Sequence, residues 1–191
     1  MKKVFFDIET RNTFQEVGKS DPALLDISVV CVYDPSTETY KSFLQEEFPK
    51  LWPIIEQADI LVTFNGDHFD IPLLNKYYPG DLMKIKSLDL LKEVRKALGH
   101  RIGLGNIAEA TLGKGKSGNG LEAVDWWKKG EIDKIIKYCI DDVKVTKEVH
   151  DYAMANKKLK FKDLDKVVEF SIDTTGWDEA QESKMTFSLP F

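Results

Sequence analysis

The stretch Val4-Phe5-Phe6-Asp7-Ile8-Glu9-Thr10 constrains this chain more than any other. Val4, Phe5 and Phe6 are strong strand formers, so the segment is expected to be extended and largely buried. Residues two apart on a strand point to one face, which sets the Asp7 and Glu9 carboxylates side by side. Two like charges so placed repel each other unless one is protonated or a cation lies between them. A hard divalent ion answers that need, because it takes several oxygen ligands at close range. The competing reading is a surface strand whose acids alternate outward, and this stretch alone leaves both open.

A chain of 191 residues is long enough to bury a sizeable core as one domain, or as one domain with a tail. Its net charge of −5 supplies no global positive field to draw in nucleic acid. Phosphate contacts must therefore come from local lysines or from bound metal, which disfavours a nonspecific coating protein. Cys31 and Cys139 sit in apolar settings without metal-ligand spacing, and read as buried free thiols suited to a reducing compartment. Lys2 and Lys3 precede only three apolar residues before Asp7, too few for a signal peptide. No segment approaches membrane length, so a cytoplasmic location is expected.

Along the chain, residues 11–22 are polar and read as a loop. Residues 26–33 form a second buried strand, Asp34-Pro35-Ser36-Thr37 supplies turn chemistry, and residues 39–44 continue as a third strand. Phe48, Leu51, Trp52 and Ile55 follow helical spacing. Residues 59–64 are a short apolar strand, broken by Asn65-Gly66-Asp67 and followed by a helix over 69–78. A fifth strand is expected at 84–88, with helices over 89–98, 103–112, 121–129 and, longest of all, 131–155. Three strands followed by alternating helix and strand predict an α/β domain with a mixed five-stranded sheet flanked by helices. The predicted division is residues 1–155 for that domain and 156–191 for a C-terminal helix, to about Phe170, with a mobile tail.

Three separated patches carry chemistry. The first is Asp7-Ile8-Glu9. The second runs from Thr63 to Asp70, where a strand ends and delivers Asp70 at the mouth of the next helix, the place where open α/β sheets bind ligands. The third is Tyr138-Cys139-Ile140-Asp141-Asp142, in which Tyr138 and Asp142 lie one above the other on a helix face.

On these residues the chain resembles the DEDD 3′–5′ exonucleases of the RNase H-like superfamily, in the subclass with tyrosine in the third motif. Asp7 and Glu9 match the first motif, Asn65 with Phe69-Asp70 the second, and Tyr138 with Asp142 the third. The resemblance spans roughly residues 1–155. It includes the proofreading domains of family B DNA polymerases and the stand-alone bacterial RNase H-like exonucleases. Each motif alone is weak, whereas the ordered set is specific.

What the resemblance implies is hydrolysis of nucleotides from 3′ ends, with single-stranded DNA expected and RNA trimming as the rival. The cofactors implied are two divalent ions, Mg²⁺ or Mn²⁺, about 4 Å apart. Asp7 would bridge both ions, Glu9 and Asp142 would complete one site, and Asp70 would hold the other ion through water. A tyrosine hydroxyl titrates near ~10 in isolation, so Tyr138 is expected to orient the nucleophile rather than deprotonate it. Thr10 and Asn65 would bond the terminal nucleotide, and Phe69 would pack near it. A non-catalytic nucleic-acid-binding accessory module is disfavoured, because four clustered acids repel phosphate.

Other residues are read more plainly. Asp141 points away from Asp142 around the helix, Asp89 suits an N-cap, and Trp126 and Trp127 suit packing. The run Ala110–Ser117 superficially resembles a nucleotide-binding phosphate loop, but it follows a helix instead of a strand. Lys114 and Lys116 in that run are candidate backbone-phosphate contacts. The apolar end Thr186–Phe191 reads either as a hook on its own domain or as a partner-binding peptide. It resembles the short bacterial sliding-clamp-binding peptides, with Thr186 where glutamine is usual.

Overall fold

In the computed structural model, residues 1–115 and 120–179 are described. Strand β1 (Lys3–Thr10) is the middle strand of a five-stranded sheet with β2 (Ile27–Asp34), β3 (Thr39–Phe43), β4 (Ile60–Thr63) and β5 (Lys86–Asp89). Their order is β3-β2-β1-β4-β5. β2 pairs antiparallel with both β1 and β3, whereas β1, β4 and β5 run parallel. This is the expected mixed sheet of an RNase H-like fold.

Because β1 is central and covered on both faces, its alternation divides two cores. Val4, Phe6 and Ile8 join Ile27, Val30 and Val32 on one face. That face is closed by Phe48, Leu51 and Ile55 of α2 (Phe48–Glu56) and by Ile71, Leu73 and Leu74 of α3 (Asp70–Asn75). Phe5 turns to the other face with Val29, Cys31 and Val62, and the pleat carries Asp7 and Glu9 to that same side. There the sheet is covered by α4 (Leu90–Leu98), α5 (Leu104–Leu112), α6 (Gly120–Lys128) and α7 (Ile132–Asn156). Burying a large aliphatic or aromatic side chain contributes about 1.5–3 kcal/mol, so both cores pin the strand that bears the acids.

Helix α7 is the longest element, at 25 residues. Its buried positions, among them Ile135, Tyr138, Cys139, Asp142, Val143, Thr146, Val149 and Ala153, recur every three or four residues and form one stripe. The Cys139 thiol donates to the Asp7 carbonyl oxygen at 3.4 Å, and both cysteines are buried and free, as expected. No helix among the described residues is long and apolar enough to cross a membrane.

Three expectations require correction. The polar stretch after β1 contains a one-turn helix, α1 (Phe14–Val17). Its N-terminus is closed by a reciprocal capping box between Thr13 and Glu16. The segment expected to be helical to Phe170 is instead a hairpin of β6 (Lys158–Asp163) and β7 (Lys166–Ser171). Its alternating lysines and apolar residues have the period of a strand, with Leu159 and Phe161 buried in the core. Residues 171–179 were expected to begin a mobile tail, yet Ile172 and Trp177 are buried in the same core. The Lys86 ammonium ties the segment down further by donating to the Gly176 and Glu179 carbonyl oxygens. Residues 180–191 lie outside the described residues, and with them Thr186–Phe191.

Candidate active site

The parallel strands β1, β4 and β5 all end at one edge of the sheet, at Thr10, Thr63 and Asp89. A cleft of about 540 Å³ opens there. Asp7, Glu9, Thr10, Asn65, Phe69, Asp70, Tyr138 and Asp142 all line it. Eight of the ten residues singled out from the sequence thus share one cleft, although they come from three widely separated stretches of the chain.

Within it, carboxylate oxygens of Asp7, Glu9 and Asp142 lie within 4.8 Å of one another. Asp7 and Glu9 arrive from alternate positions of β1, and Asp142 from α7, which packs on that face of the sheet. At this separation or closer, and at an effective dielectric of ~20, each pair of charges would repel by about 3.5 kcal/mol or more before any counter-charge is counted. Glu9 and Asp142 are buried, and Asp7 is partly so. Three hard oxygen donors converging from two rigid elements fit a hard divalent cation.

Asp70 stands apart from that trio. It opens α3, is buried, and its Oδ1 accepts the Ile8 backbone N–H at 3.1 Å. Burial, followed by the charges of Asp89 and Asp142, pushes its carboxyl up to about 7, while its own N–H and that of Ile8 favour the charged form. A cation in the cleft would lower it again.

Tyr138 is buried one helical turn before Asp142, with Trp126 edge-on at 5.8 Å. Thr10 is buried at the end of β1, beyond a bulge between Glu9 and Thr10, and its hydroxyl donates to the Asn12 carbonyl oxygen at 2.9 Å. Phe69 meets Phe14 edge-to-face at 6.0 Å, so α1 forms part of the cleft wall. Lys114 lies outside the cleft and makes an ion pair with Glu148, at 2.7 Å to each oxygen. Lys116 falls outside the described residues.

The loop between β4 and α3 is held by contacts that local sequence hardly reveals. Asn65 adopts left-handed backbone geometry, φ 78°. Gly66 follows at a point where a Cβ would fall 2.2 Å from the Thr63 hydroxyl oxygen, so no larger residue fits. Asp89 does cap α4, accepting the Leu91 N–H at 2.9 Å. The same carboxylate also accepts the Asn65 N–H at 2.8 Å and the Asp67 N–H at 3.3 Å. Arg101 donates to the Asn65 side-chain oxygen at 2.9 Å. Asp89 and Arg101 are therefore positioning residues for the loop. The only hint in the sequence was an acid at a strand end, which an N-cap alone explains.

A five-stranded mixed sheet with acids converging at the ends of its parallel strands defines the class of metal-dependent nucleases and their relatives built on the RNase H fold. The family model of the RNase_H superfamily matches residues 4–154, and the chain belongs to that superfamily. Among curated proteins it is 26% identical over 196 aligned residues to a DNA polymerase of Thermococcus aggregans, covering 78% of this chain and 10% of that protein. A DNA polymerase of Thermococcus litoralis matches at the same 26% identity, with 11% of its length covered. The chain thus spans about a tenth of the curated relatives it matches. The structure of the family B DNA polymerase from Pyrobaculum calidifontis superposes with a TM-score of 0.61, over 81% of this chain and 24% of that one, at 16% identity. That likeness concerns the fold. Superfamily membership and the buried acidic cluster together support a nuclease.

Proposed function

We propose that this chain is a divalent-metal-dependent 3′–5′ exonuclease acting on single-stranded ends, with DNA as the favoured substrate. The observation that carries the proposal is the convergence of Asp7, Glu9 and Asp142 within 4.8 Å, at the end of the central strand and one turn from Tyr138. DNA is favoured over RNA because the matched relatives are named as DNA polymerases.

In this reading Asp7, Glu9 and Asp142 are metal ligands and Asp70 supports a second ion. Bound divalent ions would supply a water acidified toward neutral pH and positive charge against the phosphate oxygens. Tyr138, fixed by Trp126, directs its hydroxyl at the attacking water and sets its line of approach. Asn65 and Thr10 hold the terminal nucleotide by hydrogen bonds, and Phe69 packs against it, which places the scissile bond beside the acids. Attack on phosphorus breaks the bond to the 3′ oxygen of the preceding nucleotide and releases a nucleoside 5′-monophosphate. Thr186–Phe191 is proposed as a peptide for a sliding clamp or similar replication partner.

The test is incubation of 3′- and 5′-labelled single-stranded DNA and RNA with Mg²⁺ or Mn²⁺, using wild type and Asp7→Ala. Stepwise metal-dependent loss from the 3′ end, abolished in the variant, is the expected result. No such loss, or equal loss in the variant, overturns the proposal.

A further inference from the structure

Beside the acidic cleft lies a second hollow of about 350 Å³, and the two share Asn65 as a common wall. Its lining has the opposite electrical character, with Lys92, Arg95, Arg101 and His68 around it. Lys92 and Arg95 are three apart on α4 and so project from one side of that helix. Gly99 ends α4 in the left-handed conformation, φ 80°, and the chain turns there before Arg101 reaches Asn65.

The two arginines are not neutralised in place. The lining carboxylate, Asp89, is spent on the N–H groups of Asn65, Asp67 and Leu91. Lys92 is paired with Asp67. Among the described residues, Arg95 and Arg101 meet no carboxylate at ion-pair distance, and both are exposed. Arg101 uses one N–H on Asn65, which leaves most of the five donors of a guanidinium for another acceptor. In a chain of net charge −5, unneutralised arginines beside an acidic cleft need a physical role.

We propose that this hollow binds a backbone phosphate of the nucleic acid strand upstream of the scissile bond. The inference rests on the exonuclease reading for its substrate class. A strand whose last nucleotide lies against Asn65 and Phe69 crosses that shared wall to leave the cleft, and its next phosphates meet Arg95 and Arg101. Planar guanidinium groups match phosphate oxygens in pairs and carry no sequence preference, as a nonspecific exonuclease requires. Arg101 serves twice, holding Asn65 at the terminal nucleotide and the phosphate behind it.

The experiment compares wild type with Arg95→Gln, Arg95→Lys and Arg101→Gln, and with Lys50→Gln on the distant α2 as a control for charge loss. Two substrates are used: a single-stranded oligonucleotide of about ten nucleotides, and the p-nitrophenyl ester of thymidine 5′-monophosphate, which has no upstream phosphate. For Arg95→Gln, kcat/KM on the oligonucleotide is expected to fall about five-fold relative to that on the ester, with Arg95→Lys recovering much of the loss. In Ca²⁺, fluorescence anisotropy of the labelled oligonucleotide should show the slope of log Kd against log salt reduced by about 0.7 for each contact removed. Lys50→Gln should change neither readout. An unchanged substrate ratio and an unchanged salt slope in Arg95→Gln overturn the pocket while leaving the exonuclease reading intact. If wild type hydrolyses neither substrate, the exonuclease reading falls and the anisotropy series decides the pocket alone: no binding, or the same slope in Arg95→Gln, refutes it.

Discussion

Replacing Asp89 by alanine removes an acceptor that joins three backbone donors from two parts of the chain. Its carboxylate takes N–H groups from Asn65 at 2.8 Å, Leu91 at 2.9 Å and Asp67 at 3.3 Å, and only 4% of the residue is exposed. Loss of the N-cap alone costs about 1 kcal/mol. The Asn65 N–H, partly buried and left without its charged acceptor, adds about 1.5–3 kcal/mol. The longer Asp67 contact adds little. The expected destabilisation is therefore about 3–4 kcal/mol, which at ~2–4 °C per kcal/mol for a chain of this size lowers Tm by roughly 6–16 °C. Asp89→Asn keeps one oxygen acceptor and should lose about half as much. Thermal unfolding followed by circular dichroism measures both. Hydrolysis at 20 °C, where Asp89→Ala remains folded, should still fall at least ten-fold, because Asn65 loses the contact that fixes its backbone. A variant within 1 kcal/mol of wild type, or one fully active when folded, would refute the role assigned to Asp89.

Gly66→Ala should cost about 1–3 kcal/mol by overpacking against Thr63, and should depress activity more than binding, as single-turnover kinetics would show. Truncation after Ser171 removes the buried Ile172 and Trp177 and should destabilise by about 4 kcal/mol or more in urea titration. At Asp151, burial pushes the carboxyl up, but the hydrogen bond from His150 and the ion pair with Lys147 outweigh it and hold it down to about 2. A depressed carboxyl stabilises the fold above its unfolded pKa of about 4 and loses that contribution as pH falls toward 2. Denaturant midpoints between pH 5 and 2 should therefore fall more steeply for wild type than for Asp151→Asn. Deletion of residues 186–191 should abolish binding to a bacterial sliding clamp in surface plasmon resonance and leave hydrolysis intact.

Strands β1, β2 and β4 were legible because they are short apolar runs between turn-forming residues, a pattern set by burial on both faces. The trio of acids was legible for a similar reason. Asp7 and Glu9 obey the strand period, and Tyr138 and Asp142 the helical one, so each pair lands on one side of its element. The hairpin was missed although Leu159 and Phe161 alternate with lysines. Its turn offers no glycine or asparagine, and Leu164 itself takes the left-handed conformation, φ 54°. Residues 171–179 were missed because their polar composition hides Trp177, whose ring stacks on His150 with centroids 5.6 Å apart. The Asp89 contacts with Asn65 and Asp67 bridge more than twenty positions, and no local period encodes them. The arginine hollow arises the same way, from a turn after α4 that brings Arg101 to Asn65.

Cys139 lies between α7 and β1, fully buried, with its thiol directed at the carbonyl of the residue that anchors the acidic trio. A thiol reagent reaches that sulfur only when the helix parts from the strand. In a Cys31→Ala background, the rate of labelling at Cys139 then becomes a clock for the opening of the acidic face, separate from global unfolding. Added Mn²⁺, if held by the acids of β1 and α7, would clasp strand to helix and slow the clock, so occupancy of the cleft can be timed without any substrate.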